Sequence, residues 1–270
     1  RLPTVFYACG VTIRGSAGAP ILSRCLRDPL VKAIFLRDER SLIAMRELRA
    51  RSGEIPQPRH AFDPAIHVAE AYSGRLVDSK DIDVGVNFTD PVNMTYSSGR
   101  SLSFVDSLDS TLSAVVRHFV DSGKRVALFT NGAVEDEEFL QQCDQRFGLS
   151  SLPSVTRLSR PLRPEQLVQS IHRMRSVIAH RLHTNIIAYG LKIPSVGLEW
   201  SEKVPDFFRL VKRESCLVGK EEMFVESILD RHQRLSTLPV DESFLAEIKA
   251  TSLQTFGQAL RDIGVPNQRC

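Results

Sequence analysis

The 270-residue chain has only five cysteines, Cys9, Cys25, Cys143, Cys216 and Cys270, and no two form a CxxC pair. An odd number at wide spacing argues against a disulfide framework and a thiolate zinc site, and reads as free thiols in a reducing compartment. No apolar run approaches the length of a membrane span, and the N-terminus lacks a secretory pattern. The chain starts at Arg1 and enters the apolar run TVFYACGV almost at once, which suggests a fragment or a trimmed N-terminus. Strong charge of one sign is also missing: 35 Lys and Arg against 32 Asp and Glu leave +3. This excess suits an anionic substrate or membrane headgroups and is too small to argue for nucleic acid. His60, His67, His118, His172 and His232 have no metal-ligand spacing, and CGVTIRGSAG (9–18) lacks the GK[ST] ending of a phosphate loop. The expectation is a cytoplasmic protein with no metal, no cofactor and no nucleic-acid partner.

What is present is alternation. DVGVNFT (83–89) reads as a strand, and Leu108, Leu112, Val115, Val116 and Phe119 mark one helix face that stops at Gly123. RVALFT (125–130) is a buried strand with a turn at Asn131-Gly132. EDEEF opens the next helix, where carboxylates complement the dipole, and Gly148 closes it. A weak strand near SVTRL precedes a helix with Pro164 just inside its start and Leu167, Val168, Ile171 and Met174 on its face. SVIA, a helix carrying His183, PSVGLEW and a helix from about Val204 complete the series. Such alternation specifies a parallel, doubly wound α/β sheet covered by helices on both faces.

The N-terminal part repeats the theme with TVFYACGV, a helix near ILSRCLRDPL, the strand KAIFLRD and a helix over SLIAMRELRARSG. A boundary is expected at the polar stretch near 74–82, dividing the chain into a partial N-terminal Rossmann-like domain (1–78), a C-terminal Rossmann-like domain (79–238) and a tail (239–270). The tail is one amphipathic helix over about 241–262, with Phe244, Leu245, Ile248, Leu253, Phe256 and Leu260 as its apolar set.

One seam does not read as ordinary core. The apolar run SVIA ends in His180, Arg181 and His183, three potential cations between two buried elements. Charged groups are rarely buried unless paired or used. In an open α/β sheet, ligands sit beyond the carboxyl ends of the strands, where helix N-termini point amides at anions. Arginine there can grip a carboxylate or phosphate by two donors, and histidine can move a proton near neutral pH. A helix start that merely satisfies its own backbone groups is the competing reading.

The seam resembles the signature of the polysaccharide pyruvyl transferase family, which runs R-L-H, a helix, a G-[IV]-P turn, a strand and Y-D-P-K. Here those positions are Arg181-Leu182-His183, Ile193-Pro194 and Trp200-Ser201-Glu202-Lys203. LRDERS (36–41) is similar to the family's R-D-x-x-S element, and FDPAIH (62–67) to its aspartate-proline element. Lys192 stands where the family has its turn glycine, a position that asks for left-handed backbone.

The resemblance implies a GT-B-like fold and transfer of a pyruvyl group from phosphoenolpyruvate to a saccharide or lipid-linked saccharide, as a ketal, in cell-surface polysaccharide synthesis. It leaves room for peripheral association with the inner face of a membrane. His183 is then the general acid and Arg181 the cation that stabilises the anionic donor, with Leu182 between them. Lys203, between a strand end and a helix, could reach a phosphate, or be a solvated lysine. Arg37 is a candidate substrate contact in the cleft, or one half of a salt bridge with Asp38. Asp63 is expected to cap the helix that begins at Pro64-Ala65. Asn131 ends a central strand and is a candidate ligand contact, although a turn role accounts for it equally. Two other classes stay open: a nucleotide-sugar glycosyltransferase, for which Glu199 and Glu202 are the available carboxylates, and a non-catalytic binding protein on the same fold.

Overall fold

A computed structural model of the protein describes residues 2–13, 15–77, 79–92 and 105–265. The chain forms two compact units, residues 1–66 with 241–270, and residues 67–240. The division thus falls before the polar stretch 74–82, and the final helix belongs with the first unit.

In the first unit, β1 (Thr4–Cys9), β2 (Val31–Leu36) and β3 (Pro58–His60) form a parallel sheet in the order β1-β2-β3. The first helix runs over Gly15–Leu26, starting well before the ILSRCLRDPL stretch that its periodicity suggested. The second, Glu39–Ser52, is capped by Asp38, whose side chain accepts from the Ser41 amide at 2.7 Å. The last helix, Glu242–Asp262, buries Ala259 against Ala33, Phe35 and Ala61, and Tyr7 donates its hydroxyl to the Ser252 carbonyl at 3.0 Å. These contacts tie the end of the chain to its beginning. Leu253 and Phe256, expected on the buried face, are exposed; the helix presents Leu245, Ile248, Ser252 and Ala259 instead, a stripe with small residues where the sheet approaches.

The second unit carries six parallel strands: β4 (Ile82–Asn87), β5 (Val126–Phe129), β6 (Val155–Arg157), β7 (Met174–Ala179), β8 (Ser195–Leu198) and β9 (Leu217–Val218). Their order is β6-β5-β4-β7-β8-β9. All four residues of β5 and of β8 are buried, because helices cover both faces and water reaches neither. Met174 begins β7 rather than extending the Pro164–His172 helix face, since that helix ends at His172.

The stops are local chemistry. Gly148 ends the Val134–Phe147 helix at φ +62° and returns its N–H to the Asp144 carbonyl. Lys192 adopts φ +60°, the left-handed conformation expected for a residue in the family's glycine position. Cys9, Cys25, Cys143 and Cys216 are free thiols, and burial first, then the Asp109 charge, pushes Cys143 up to about 12. Among the described residues no helix is long and apolar enough to cross a membrane.

Candidate functional site

From β4 the chain winds outward through β5 and β6, then returns to place β7 on the other side of β4 and continues to β8 and β9. The winding direction therefore reverses between β4 and β7. At such a switch point the loops leaving the two carboxyl ends diverge and open a crevice. Four loops meet this edge of the sheet: 88–90 after β4, 130–133 after β5, 180–181 after β7 and 199–202 after β8. Asn131, Arg181, Leu182, His183 and Lys203 all lie on them or at the first turn of the helices that follow.

Arg37 belongs to the first unit, at the carboxyl end of β2. Its guanidinium donates to Asp63 at 2.6 Å, not to Asp38, which is spent on capping its helix. Asp63 also accepts from the Ala65 amide at 3.0 Å, so it joins the capping role to an ion pair.

The crevice floor is a polar network. Asn87, at the end of β4, donates its amide to Asn131 Oδ1 at 3.0 Å, and Thr184, in the helix after β7, donates its hydroxyl to the same oxygen at 2.6 Å. Thr89 donates to Asn87 Oδ1 at 3.2 Å. Asn87, Thr89 and Thr184 are fully buried, and a buried polar group without a partner is costly, so this network fixes the three elements relative to one another. Gly132 completes the turn at φ +97°, where a Cβ would lie 2.4 Å from the Pro161 carbonyl oxygen. Only glycine fits.

The wall is built around Arg181. Its Nε donates to Asp136 Oδ2 at 3.0 Å and its Nη2 to Oδ1 at 2.6 Å. Asp136 sits in the first turn of the Val134–Phe147 helix, has no exposed surface and also accepts from the Asp90 amide at 2.9 Å. The Arg181 side chain keeps 23% exposure, and its guanidinium carbon lies 5.8 Å from the centre of the Trp200 ring. Trp200 Nε1 and Ser201 Oγ, in the loop after β8, are buried without a hydrogen-bond partner.

The three potential cations at the seam separate by environment. His180 is completely buried with neither ring nitrogen hydrogen-bonded, and burial first, then the Arg181 charge, push it down to about 3. It is neutral and is not a cation at physiological pH. Arg181 is paired yet reachable, and His183 is exposed, at the second position of the Leu182–Gly190 helix. Leu182 is buried and anchors that helix start. Lys203, the first residue of the Lys203–Leu210 helix, is exposed.

Asn87, Thr89, Asp136 and Thr184 were not singled out from sequence. Asp136 reads there as one of several dipole-complementing acids, and nothing local distinguishes it from Glu135 or Glu137. The available signal was topological: Asn87 ends the strand from which the sheet winds both ways. Among the described residues no three His, Cys, Asp or Glu side chains gather in a way that could hold a metal ion.

Known proteins share this fold. In fold the chain resembles UDP-N-acetylglucosamine 2-epimerase from Rickettsia bellii, at TM-score 0.58 and 10% identity over 96% of this chain and 67% of that one. It also resembles α,α-trehalose 6-phosphate synthase from Burkholderia multivorans, at TM-score 0.55 and 14% identity over 97% and 66%. The UDP-forming α,α-trehalose-phosphate synthase from Burkholderia xenovorans gives 0.54 and 10% over 98% and 70%. The chain thus spans about two thirds of the length of these structures. No curated protein matches it. The shared fold is of the GT-B kind, with Rossmann-like units built on parallel sheets. The family profile described as polysaccharide pyruvyl transferase matches residues 1–202, which include the strand-end loops carrying Asn131, Arg181 and His183. The chain belongs to the polysaccharide pyruvyl transferase family.

Proposed function

We propose that the protein transfers the pyruvyl group of phosphoenolpyruvate to two hydroxyls of a saccharide, forming a cyclic ketal and releasing phosphate. The observation that carries this reading is the pairing, at one switch point, of an anchored guanidinium with an exposed imidazole two residues away. Phosphoenolpyruvate is a dianionic or trianionic donor whose methylene carbon must be protonated before its neighbour accepts an oxygen nucleophile. Arg181 holds the anion and offsets charge as it moves toward the leaving phosphate. His183 delivers the proton to the methylene carbon, and a sugar hydroxyl then adds to the adjacent carbon. The second hydroxyl displaces phosphate at that same carbon, and the protons lost by the hydroxyls restore the acid and leave with phosphate. Lys203, at a helix start on the same sheet edge, suits a phosphate contact.

Phosphoenolpyruvate offered with a panel of oligosaccharides and lipid-linked saccharides should release phosphate and add the ketal mass to the acceptor. Phosphoenolpyruvate should also raise the melting temperature more than nucleotide sugars do, since a ligand that binds only the folded state stabilises it. Protection by a sugar nucleotide with none by phosphoenolpyruvate would overturn this reading and favour glycosyl transfer.

A further inference from the structure

Arginine has five N–H donors in a rigid plane, and Asp136 uses the Nε–H and one hydrogen of Nη2. The end of the fork, formed by Nη1 and the second hydrogen of Nη2, is not engaged by Asp136. A guanidinium in this posture cannot take an anion side-on; it can take one end-on. Asp136 is itself held, by the Asp90 amide at 2.9 Å, and it is fully buried, so its carboxylate cannot follow a moving arginine. Trp200 lies beside the guanidinium, with 5.8 Å from the Arg181 Cζ to the ring centre, and limits rotation out of the plane.

We propose that Asp136 is a positioning residue: through Arg181 it aims the end of the guanidinium fork into the β4–β7 crevice, fixing where and in which orientation an anionic donor group binds. The inference rests on the pyruvyl-transfer reading for the identity of the donor, phosphoenolpyruvate, and on geometry for the posture. Asp136 touches no substrate. Its effect is to spare the donor the cost of ordering a flexible arginine, a form of preorganisation. It also ties the loop after β4, through Asp90, to the helix after β5 and the turn after β7.

Asp136→Asn is the discriminating variant, because Oδ1 still accepts from the Asp90 amide while an NH2 now opposes the Arg181 Nε–H. Half-saturation by phosphoenolpyruvate, read by thermal shift and by turnover, should weaken roughly 10- to 100-fold, as expected for loss of hydrogen bonds to a charged group. In an Arg181→Ala background the same change should shift half-saturation by less than about twofold, because coupled residues are not additive. Equal losses in both backgrounds would mean a purely structural aspartate and would overturn the proposal. A reading on the unmutated protein guards against variants that fail to fold. The Arg181 Nε–H resonance in a 15N spectrum, assigned by its absence in Arg181→Lys, should exchange slowly with water, and its Nη signals should shift on adding phosphoenolpyruvate or orthophosphate. Fast exchange of Nε–H overturns the posture. Shifts with orthophosphate and none with phosphoenolpyruvate sink the pyruvyl reading and leave the posture standing. No shift with either anion overturns the anion-aiming role.

Discussion

Thr184 donates its hydroxyl to Asn131 Oδ1 at 2.6 Å, joining the helix that carries His183 to the loop after β5. The same oxygen accepts from Asn87 at 3.0 Å, so one amide carbonyl sets the relation of three elements at the crevice. Thr184→Val keeps the shape and removes the donor. Chemical denaturation should show a loss of about 0.5–1.5 kcal/mol, the net worth of one hydrogen bond, because Asn87 still donates to this oxygen. Turnover should fall with it if the position of His183 depends on this bond. A variant with unchanged stability would show that the Asn87 bond alone satisfies this oxygen.

His183→Ala should lower turnover by about 10²- to 10⁴-fold and leave much of the donor affinity, because a general acid acts as the proton moves. Arg181→Ala should raise donor half-saturation as well, since an anion grip acts already in the ground state. His180 cannot serve as an alanine control, because it is fully buried and truncation leaves a cavity. His180→Leu comes close to its volume and should retain turnover. Steady-state kinetics of the three variants decide; loss of activity in His180→Leu with normal folding would show that the acid role belongs to His180 and not to His183.

Acid should destabilise the protein before its carboxylates titrate. His180 is pushed down to about 3 and His232 to about 4, each chiefly by burial, from an ordinary value of 6.5. Between those limits the unfolded chain binds protons that the folded chain refuses, so stability rises with pH there. It is fully present above about 6.5 and is lost as pH falls through the folded values. Each histidine contributes a slope of about 1.4 kcal/mol per pH unit within its window. Urea unfolding from pH 7.5 to 4.5 should show this fall, and His232→Gln should lessen it. A flat profile over that range would mean that both rings find a proton partner.

Gly132→Ala should cost about 1–3 kcal/mol, from a left-handed backbone forced on a residue with a Cβ and from that carbon's clash with the Pro161 carbonyl. Because Arg160 also donates to the Gly132 carbonyl at 2.8 Å, the turn carries the 160–161 segment with it. Thermal melting checks the cost. A neutral substitution would show that the loop can step away.

The strand–helix alternation, the turn at Gly132, the stop at Gly148 and the left-handed Lys192 were legible in the chain order, because each rests on periodicity or on one residue's backbone freedom. The triplet Arg181-Leu182-His183 was legible as a seam for the same reason: charge interrupts an apolar run where a strand must end. The rest needed the fold. Nothing near Asp136 in sequence says that it alone among its acidic neighbours is buried, because burial there depends on β4, β5 and β7 lying side by side. Arg37 could choose between Asp38, its neighbour, and Asp63, distant in sequence, and chain distance favoured the wrong one. His180 and His183 are the same residue type three positions apart, and only the sheet edge decides that one ring is dry and neutral while the other faces solvent. Local chemistry determined the elements and their ends; the order of parallel strands, a property of the whole sheet, decided which side chains share the crevice.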